Sequence, residues 1–284
     1  MFFCPKLAGW RGAARAPAPV QLLSAVQTLF GLSGMSIWVT SLPAACSAST
    51  TALTTAGGEP IAPASPQPFT PSGLWVQGVC REDDGSLSIG GATTHATVAA
   101  EAAAHYPALA DQASHIGDPG VRNRGTIGGS LANNDPAACY PAAALGSGAT
   151  IITNAREIAA DDYFQGLFTT ALEEGEIITG VRFPVPESAN YQKFVQPASR
   201  FAMVGVFVAK YADGVRVAVT GASEEGVFRW SEAEQALGKE FRADAMTDLR
   251  INPANMMGDI HATKEYRAHL IGVLTKRAVA AAAG

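Results

Sequence analysis

The sequence predicts an α+β protein with antiparallel strands, and three observations carry that expectation. From Val76 onward, short β-rich runs alternate with helix-patterned stretches. Asp213-Gly214 separates two Val-rich runs, as a hairpin turn does. No internal repeat replaces this alternation with a solenoid.

Each element has its own justification. Leu87-Ser88-Ile89 reads as a strand leading into Gly90-Gly91. Thr93-Thr94-His95 then caps a helix through about Tyr106, the threonine oxygens taking otherwise orphaned N–H groups. A Gly/Asn-rich stretch at 117–136 precedes Ala142–Leu145 and a short strand at Thr150–Thr153. Ile177 to Phe183 reads as a strand stopped by Pro184-Val185-Pro186. Phe201–Ala209 and Val215–Thr220 form the pair around Asp213-Gly214. In the second, Val215, Val217 and Val219 lie on one face by period-2 alternation. Ser231-Glu232-Ala233-Glu234 is a capping box that starts a helix to about Leu237. The last helix runs from Glu265 to Ala282, with Tyr266, Leu270, Val273, Leu274 and Ala278 at helical spacing.

Composition narrows the function. The 284 residues are 48% hydrophobic, enough for a real core, and the net charge of -5 excludes a nucleic-acid binder held by phosphate contacts. Cys4, Cys46, Cys80 and Cys139 have no CxxC spacing, so neither a zinc site nor an iron–sulphur cluster is expected, and they read as separate thiols. The five histidines show no metal-ligand spacing.

Residues 1–75 are a different kind of sequence, with four charged residues (Lys6, Arg11, Arg15, Glu59) and nine prolines. Lys6, Arg11 and Arg15 before the mixed apolar stretch Val20 to Ala45 resemble a secretory signal, which makes export the alternative to a cytoplasmic location. Ser47 to Pro71 reads as linker.

The chemistry lies in His115 to Pro136. Gly125, Gly128 and Gly129 let the backbone come close to a ligand with no Cβ in the way. Thr126 and Ser130 flank the glycine pair, and Asn133, Asn134 and Asp135 follow. Such a run can offer several N–H and O–H donors to a diphosphate without a lysine. It is neither a P-loop nor a Rossmann fingerprint. Read from chemistry alone, a Gly/Asn-rich turn between a strand and a helix is the commoner explanation.

The stretch GDPGVRNRGTIGGSLANNDPAACYPAA resembles the second flavin-binding segment of the FAD-binding medium subunit of molybdenum hydroxylases, the carbon monoxide dehydrogenase and xanthine dehydrogenase family. The similarity continues through LEEGEIITGVRFPVP, YQKFVQPASRFAMVGVFVA and VRVAVTGA to the final helix. It implies an FAD-binding domain of the vanillyl-alcohol-oxidase (PCMH) type over 76–184, then a smaller α+β C-terminal domain with an antiparallel sheet over 185–284. It further implies FAD as cofactor, with molybdopterin in a large partner subunit and two [2Fe–2S] clusters in a small one. The assembly implied is a dimer of heterotrimers, with peripheral membrane association of the complex an open possibility. The chain's own role would be to pass electrons from the clusters to an external acceptor.

Residue by residue, the resemblance assigns Thr126, Ile127, Gly128, Gly129 and Ser130 to FAD, chiefly near its diphosphate. Asn133 and Asp135 fall close behind them. Ile178 matches an apolar position packed on the flavin, and Lys193 a nearby cation. Two departures stand out. Cys139 occupies a position where the family has an Asp that contacts the cofactor. Residues 1–75 also lack the family's first flavin motif, Ala-Gly-Gly-x-Ser/Thr; Ala56-Gly57-Gly58-Glu59-Pro60 has no hydroxyl and reads as chance. That segment therefore reads as a wrong-frame translation or a gene-model artefact, and the competing function is a remnant that no longer holds FAD.

Overall fold

A computed structural model describes residues 76–284; the expectations for residues 1–75 lie outside the described residues. In chain order the elements are β1 (Val79–Arg81), β2 (Leu87–Gly90), α1 (His95–Glu101), α2 (Pro107–Ser114), α3 (Pro119–Arg122), α4 (Ile127–Asn133), α5 (Tyr140–Ser147), β3 (Thr150–Thr153) and β4 (Glu157–Ala159). There follow α6 (Ala160–Tyr163), β5 (Phe164–Gly166), β6 (Thr169–Thr170), β7 (Ile178–Phe183), β8 (Ser188–Val195), β9 (Ala202–Tyr211), β10 (Gly214–Thr220), β11 (Phe228–Arg229), α7 (Ser231–Lys239) and α8 (Lys264–Ala283). The fold is α+β, as expected.

Two antiparallel sheets organise it. The first has the order β1-β2-β7-β3-β4, the second β11-β10-β9-β8, and β5-β6 form a small ribbon. In the first sheet Ile89 pairs Val181, and Val181 pairs Ile151. This apolar row is buried with Val98, Leu109, Ile127, Leu131 and the whole of α5. In the second, Gly214 pairs Tyr211, so the hairpin at Asp213-Gly214 forms where expected. One face of β9 and β10 (Val204, Val206, Val208, Val217, Val219) is buried with α7 and α8. The other face, with Phe207 and Ala218, joins the first core. Strand β9 is consequently buried along nearly its whole length, and α5 has no solvent face.

Several local expectations are corrected. The first helix stops at Glu101, followed by a 3-10 turn at Ala102–Ala104, and α2 begins afresh at Pro107. Proline biases the residue before it away from helical geometry, and Tyr106 has φ -144° and ψ 76°. The glycine-rich stretch is not only turn, because it contains α3 and α4. Strand β8 was not legible as a separate run. The Ser231 capping box does not form: Glu234 instead accepts from the Val217 N–H (2.9 Å) and from Arg229 (2.8 and 2.7 Å). In α8 the buried stripe omits exposed Tyr266 and begins at Arg267, which donates to the Met203 carbonyl (2.5 Å), the Gly221 carbonyl (2.7 Å) and Asp259 (2.5 Å). Cys139 is a buried free thiol, whereas Cys80 is disulfide-bonded rather than separate.

Candidate functional site

The glycines of the candidate segment make a backbone seam. Gly91, just past β2, donates its N–H to the Thr179 carbonyl of β7 (2.8 Å). Its own carbonyl accepts from the Gly128 N–H (2.9 Å), and the Thr93 carbonyl accepts from the Ile127 N–H (3.1 Å). The His95 N–H reaches the Gly125 carbonyl (3.0 Å). Segments 91–95 and 125–128 thus run side by side on β7. A Cβ on Gly91 would overlap the Ile178 carbonyl, and one on Gly128 would lie 2.6 Å from the Gly91 oxygen. Only glycine permits this approach at either position.

Thr126 ends the seam and begins α4. Its hydroxyl accepts the Gly129 N–H (3.1 Å), and its carbonyl the Ser130 N–H (3.0 Å). The four N–H groups from Ile127 to Ser130 therefore all have acceptors within the protein. What this turn presents outward differs from the expectation of free backbone donors: it is the exposed backbone of Gly129 between the hydroxyls of Thr126 and Ser130. Ile127 is fully buried and Gly128 is enclosed, so both shape the turn from beneath.

His95 backs the seam. Its imidazole is buried, lies 5.2 Å from the Tyr140 ring between centroids, and its Nδ1 has no hydrogen-bond partner. Burial, and secondarily the Arg122 charge, pushes its pKa down to about 4, so the ring is neutral at pH 7.

A second cluster forms at the start of α5. Lys193 on β8 donates to the His115 carbonyl (2.7 Å) and lies 3.6 Å from the Cys139 sulfur. Tyr191, two residues earlier on the same strand, faces the same way. Its hydroxyl lies near Cys139, has no hydrogen-bond partner, and packs against Gly205. Gln112 donates to the Cys139 carbonyl (2.9 Å), while its Oε1 is unpartnered. The Tyr140 hydroxyl is unpartnered too. Burial, then the neighbouring Cys139, holds both tyrosine hydroxyls above the usual tyrosine range, so they remain protonated. Among the described residues five buried side-chain polar atoms lack a partner, and Arg267 Nε is the one that belongs to neither cluster.

The remaining predicted residues are placed simply. Asn133 is exposed at the end of α4. Asp135 accepts from the Ala137 N–H (2.8 Å), closing a turn. Ile178 is half-buried against the first core, beside a register shift in the β3–β7 pairing. The structure brings Thr126–Ser130 against Gly91, and Cys139 against Lys193. Gly91, His95 and Tyr191 were missed as site residues. The Gly90-Gly91 pair and the i, i+2 relation of Tyr191 to Lys193 were the signals available.

A dinucleotide cofactor suits the first cluster, because a glycine lacking a Cβ between two hydroxyls accepts a bulky anion closely. The second cluster offers a lysine, a thiol and protonated tyrosines, but no carboxylate. Among the described residues no group of His, Cys, Asp and Glu is arranged to hold a metal ion. No helix among them is long and apolar enough to cross a membrane.

Comparison with known proteins shows the family. The family described as "FAD binding domain in molybdopterin dehydrogenase" matches residues 76–186. The nicotine 6-hydroxylase medium subunit of Paenarthrobacter nicotinovorans is 34% identical over 68% of this chain and 74% of that protein. The carbon monoxide dehydrogenase medium chain of Hydrogenophaga pseudoflava is 29% identical over 71% of this chain and 76% of its own length. Among solved structures, reconstituted CO dehydrogenase from Oligotropha carboxidovorans superposes with a TM-score of 0.65 at 28% identity, covering 73% of this chain and 78% of that one.

Proposed function

Because the chain belongs to the family of FAD-binding medium subunits of molybdenum hydroxylases, we propose that it takes electrons from the [2Fe–2S] clusters of a small partner subunit and passes them to an external acceptor. Its cofactor is FAD, and molybdenum and iron–sulphur centres belong to partner subunits. When bound, FAD supplies the exchange between two-electron and one-electron transfer. In this proposal residues 76–184 hold the cofactor, 185–284 form the C-terminal domain, and the complex is a cytoplasmic dimer of heterotrimers with large and small subunits.

The observation that carries the proposal is the Gly91–Gly128 seam, which sets Gly129 at the surface between two hydroxyls. Thr126 and Ser130 would hold the diphosphate by O–H donation, with Asn133 and Asp135 behind them. Ile178 would give an apolar contact to the ring. Lys193 would favour negative charge on the reduced ring by attraction. His95, kept neutral by burial, adds no positive charge to the seam, which leaves the hydroxyls as the groups that would hold the anion.

A remnant that holds no FAD is the second reading, favoured by Cys139, since a thiol offers neither the fixed charge nor the two acceptor oxygens of a carboxylate. Equilibrium dialysis of the full chain with FAD, followed by the visible spectrum, decides between them. Stoichiometric uptake with a shifted flavin band is expected, and FAD left wholly free at large excess would establish the remnant. Cys139→Asp should tighten FAD by about 1–3 kcal/mol, the value of one regained polar contact. For electron transfer, adding substrate anaerobically to the co-expressed complex should bleach the flavin.

A further inference from the structure

Cys139 and Lys193 stand 54 residues apart in sequence, yet the ammonium nitrogen lies 3.6 Å from the sulfur. The stronger of the two Lys193 contacts is to a backbone carbonyl, and it holds the ammonium beside the sulfur. Cys139 is a free thiol, and among the described residues Lys193 has one further hydrogen bond, to the His115 carbonyl at 2.7 Å. A second observation concerns the same space: the Tyr191 hydroxyl, on a residue 5% exposed, lies near Cys139 and has no hydrogen-bond partner. Cys139 itself is 4% exposed, so burial keeps other protein thiols from it. Its sulfur therefore has an amine as its neighbour where an exposed cysteine would meet a second cysteine.

We propose that Cys139 and Lys193 are a modification site, in which hydrogen peroxide joins them by a sulfur–nitrogen bond. The chemistry balances in two steps. The sulfur attacks one peroxide oxygen, the O–O bond breaks, and the sulfur loses two electrons to become a sulfenic acid while the other oxygen leaves as water. The Lys193 ammonium, which attracts the negative charge the sulfur carries during attack, then sheds a proton to solvent. Its amine displaces the sulfenic hydroxyl, forming S–N and releasing a second water. The sum is one thiol, one amine and one peroxide giving one sulfenamide and two waters, and an added dithiol returns thiol and amine. Bond formation withdraws the Lys193 charge and its hold on the His115 carbonyl, which anchors the loop leading to α3.

The test treats the purified full chain with hydrogen peroxide, blocks remaining thiols, and maps tryptic peptides by mass spectrometry before and after dithiothreitol. The expected product joins the Cys139 and Lys193 peptides at a mass two hydrogens below their sum, resists trypsin at Lys193, and is reversed by dithiothreitol. Lys193→Arg keeps the cation and should abolish the joined peptide, leaving Cys139 as a sulfenic acid that dimedone traps. Recovery of Cys139 only as sulfinic or sulfonic acid beside an unmodified Lys193 overturns the proposal. So does a Cys139 that stays reduced in the folded chain while other thiols oxidise.

Discussion

The glycine seam and the Cys139 cluster lie at the two ends of the Tyr140 ring's neighbourhood, and they are built on opposite principles. In the seam, backbone meets backbone: every N–H from Ile127 to Ser130 is paired, and shape is fixed by the absence of Cβ atoms. In the Cys139 cluster, side chains from α2, α5 and β8 converge and leave three polar atoms unpaired. Paired backbone makes a rigid platform that tolerates little change. Unpaired buried side chains make a place where a substitution or a modification costs less, because groups there already lack partners.

The largest effect that would break this contrast is steric. Gly128→Ala puts a methyl 2.6 Å from the Gly91 carbonyl and should destabilise the fold by about 3 kcal/mol. Gly272→Ala, in α8 with nothing near its Cβ position, should stabilise by about 1 kcal/mol. Urea midpoints compare the two, and equal tolerance at both positions would dissolve the seam as described. The next effect is one of pH. His95 has a folded pKa near 4 against an unfolded 6.5, so the unfolded chain binds the extra proton in between. Its contribution is present above pH 6.5 and is lost as the pH falls toward 4. His95→Gln should therefore flatten the fall in urea midpoint between about pH 7 and about pH 5. The smallest effect sharpens the other side. Tyr191→Phe removes a hydroxyl that has no partner, and stability should stay within about 1 kcal/mol of the parent. A loss well beyond that would mean the hydroxyl is bonded in solution.

The same contrast explains what could be read from sequence. Alternating Val215, Val217 and Val219, the Asp213-Gly214 turn and the Thr126 cap are local, and each took the predicted form. Thr126–Ser130 were nominated because a glycine pair between hydroxyls is visible in five consecutive residues. The Tyr191–Cys139–Lys193 arrangement was not legible, since it depends on β8 landing beside α5. Glu234 shows the failure in miniature: its local pattern promised a cap, but Arg229 and the Val217 N–H outbid it. Arg267 is the converse, a cation whose buried place follows only from carbonyls on β9 and after β10.

The hydrogen bonds that tie the loop before α5 to later strands have a temporal consequence. Thr220 donates to the carbonyls of Pro136 (3.0 Å) and Ala138 (2.8 Å), and Lys193 reaches back to His115. These partners lie 78 to 84 residues apart in sequence. On a ribosome, chain order is time order, and the segment carrying Cys139 emerges long before the strands that fasten it. Until β10 has been made, Gln112 holds the Cys139 carbonyl from one side only, and the face of α5 that packs on Phe207 and Ala218 waits uncovered.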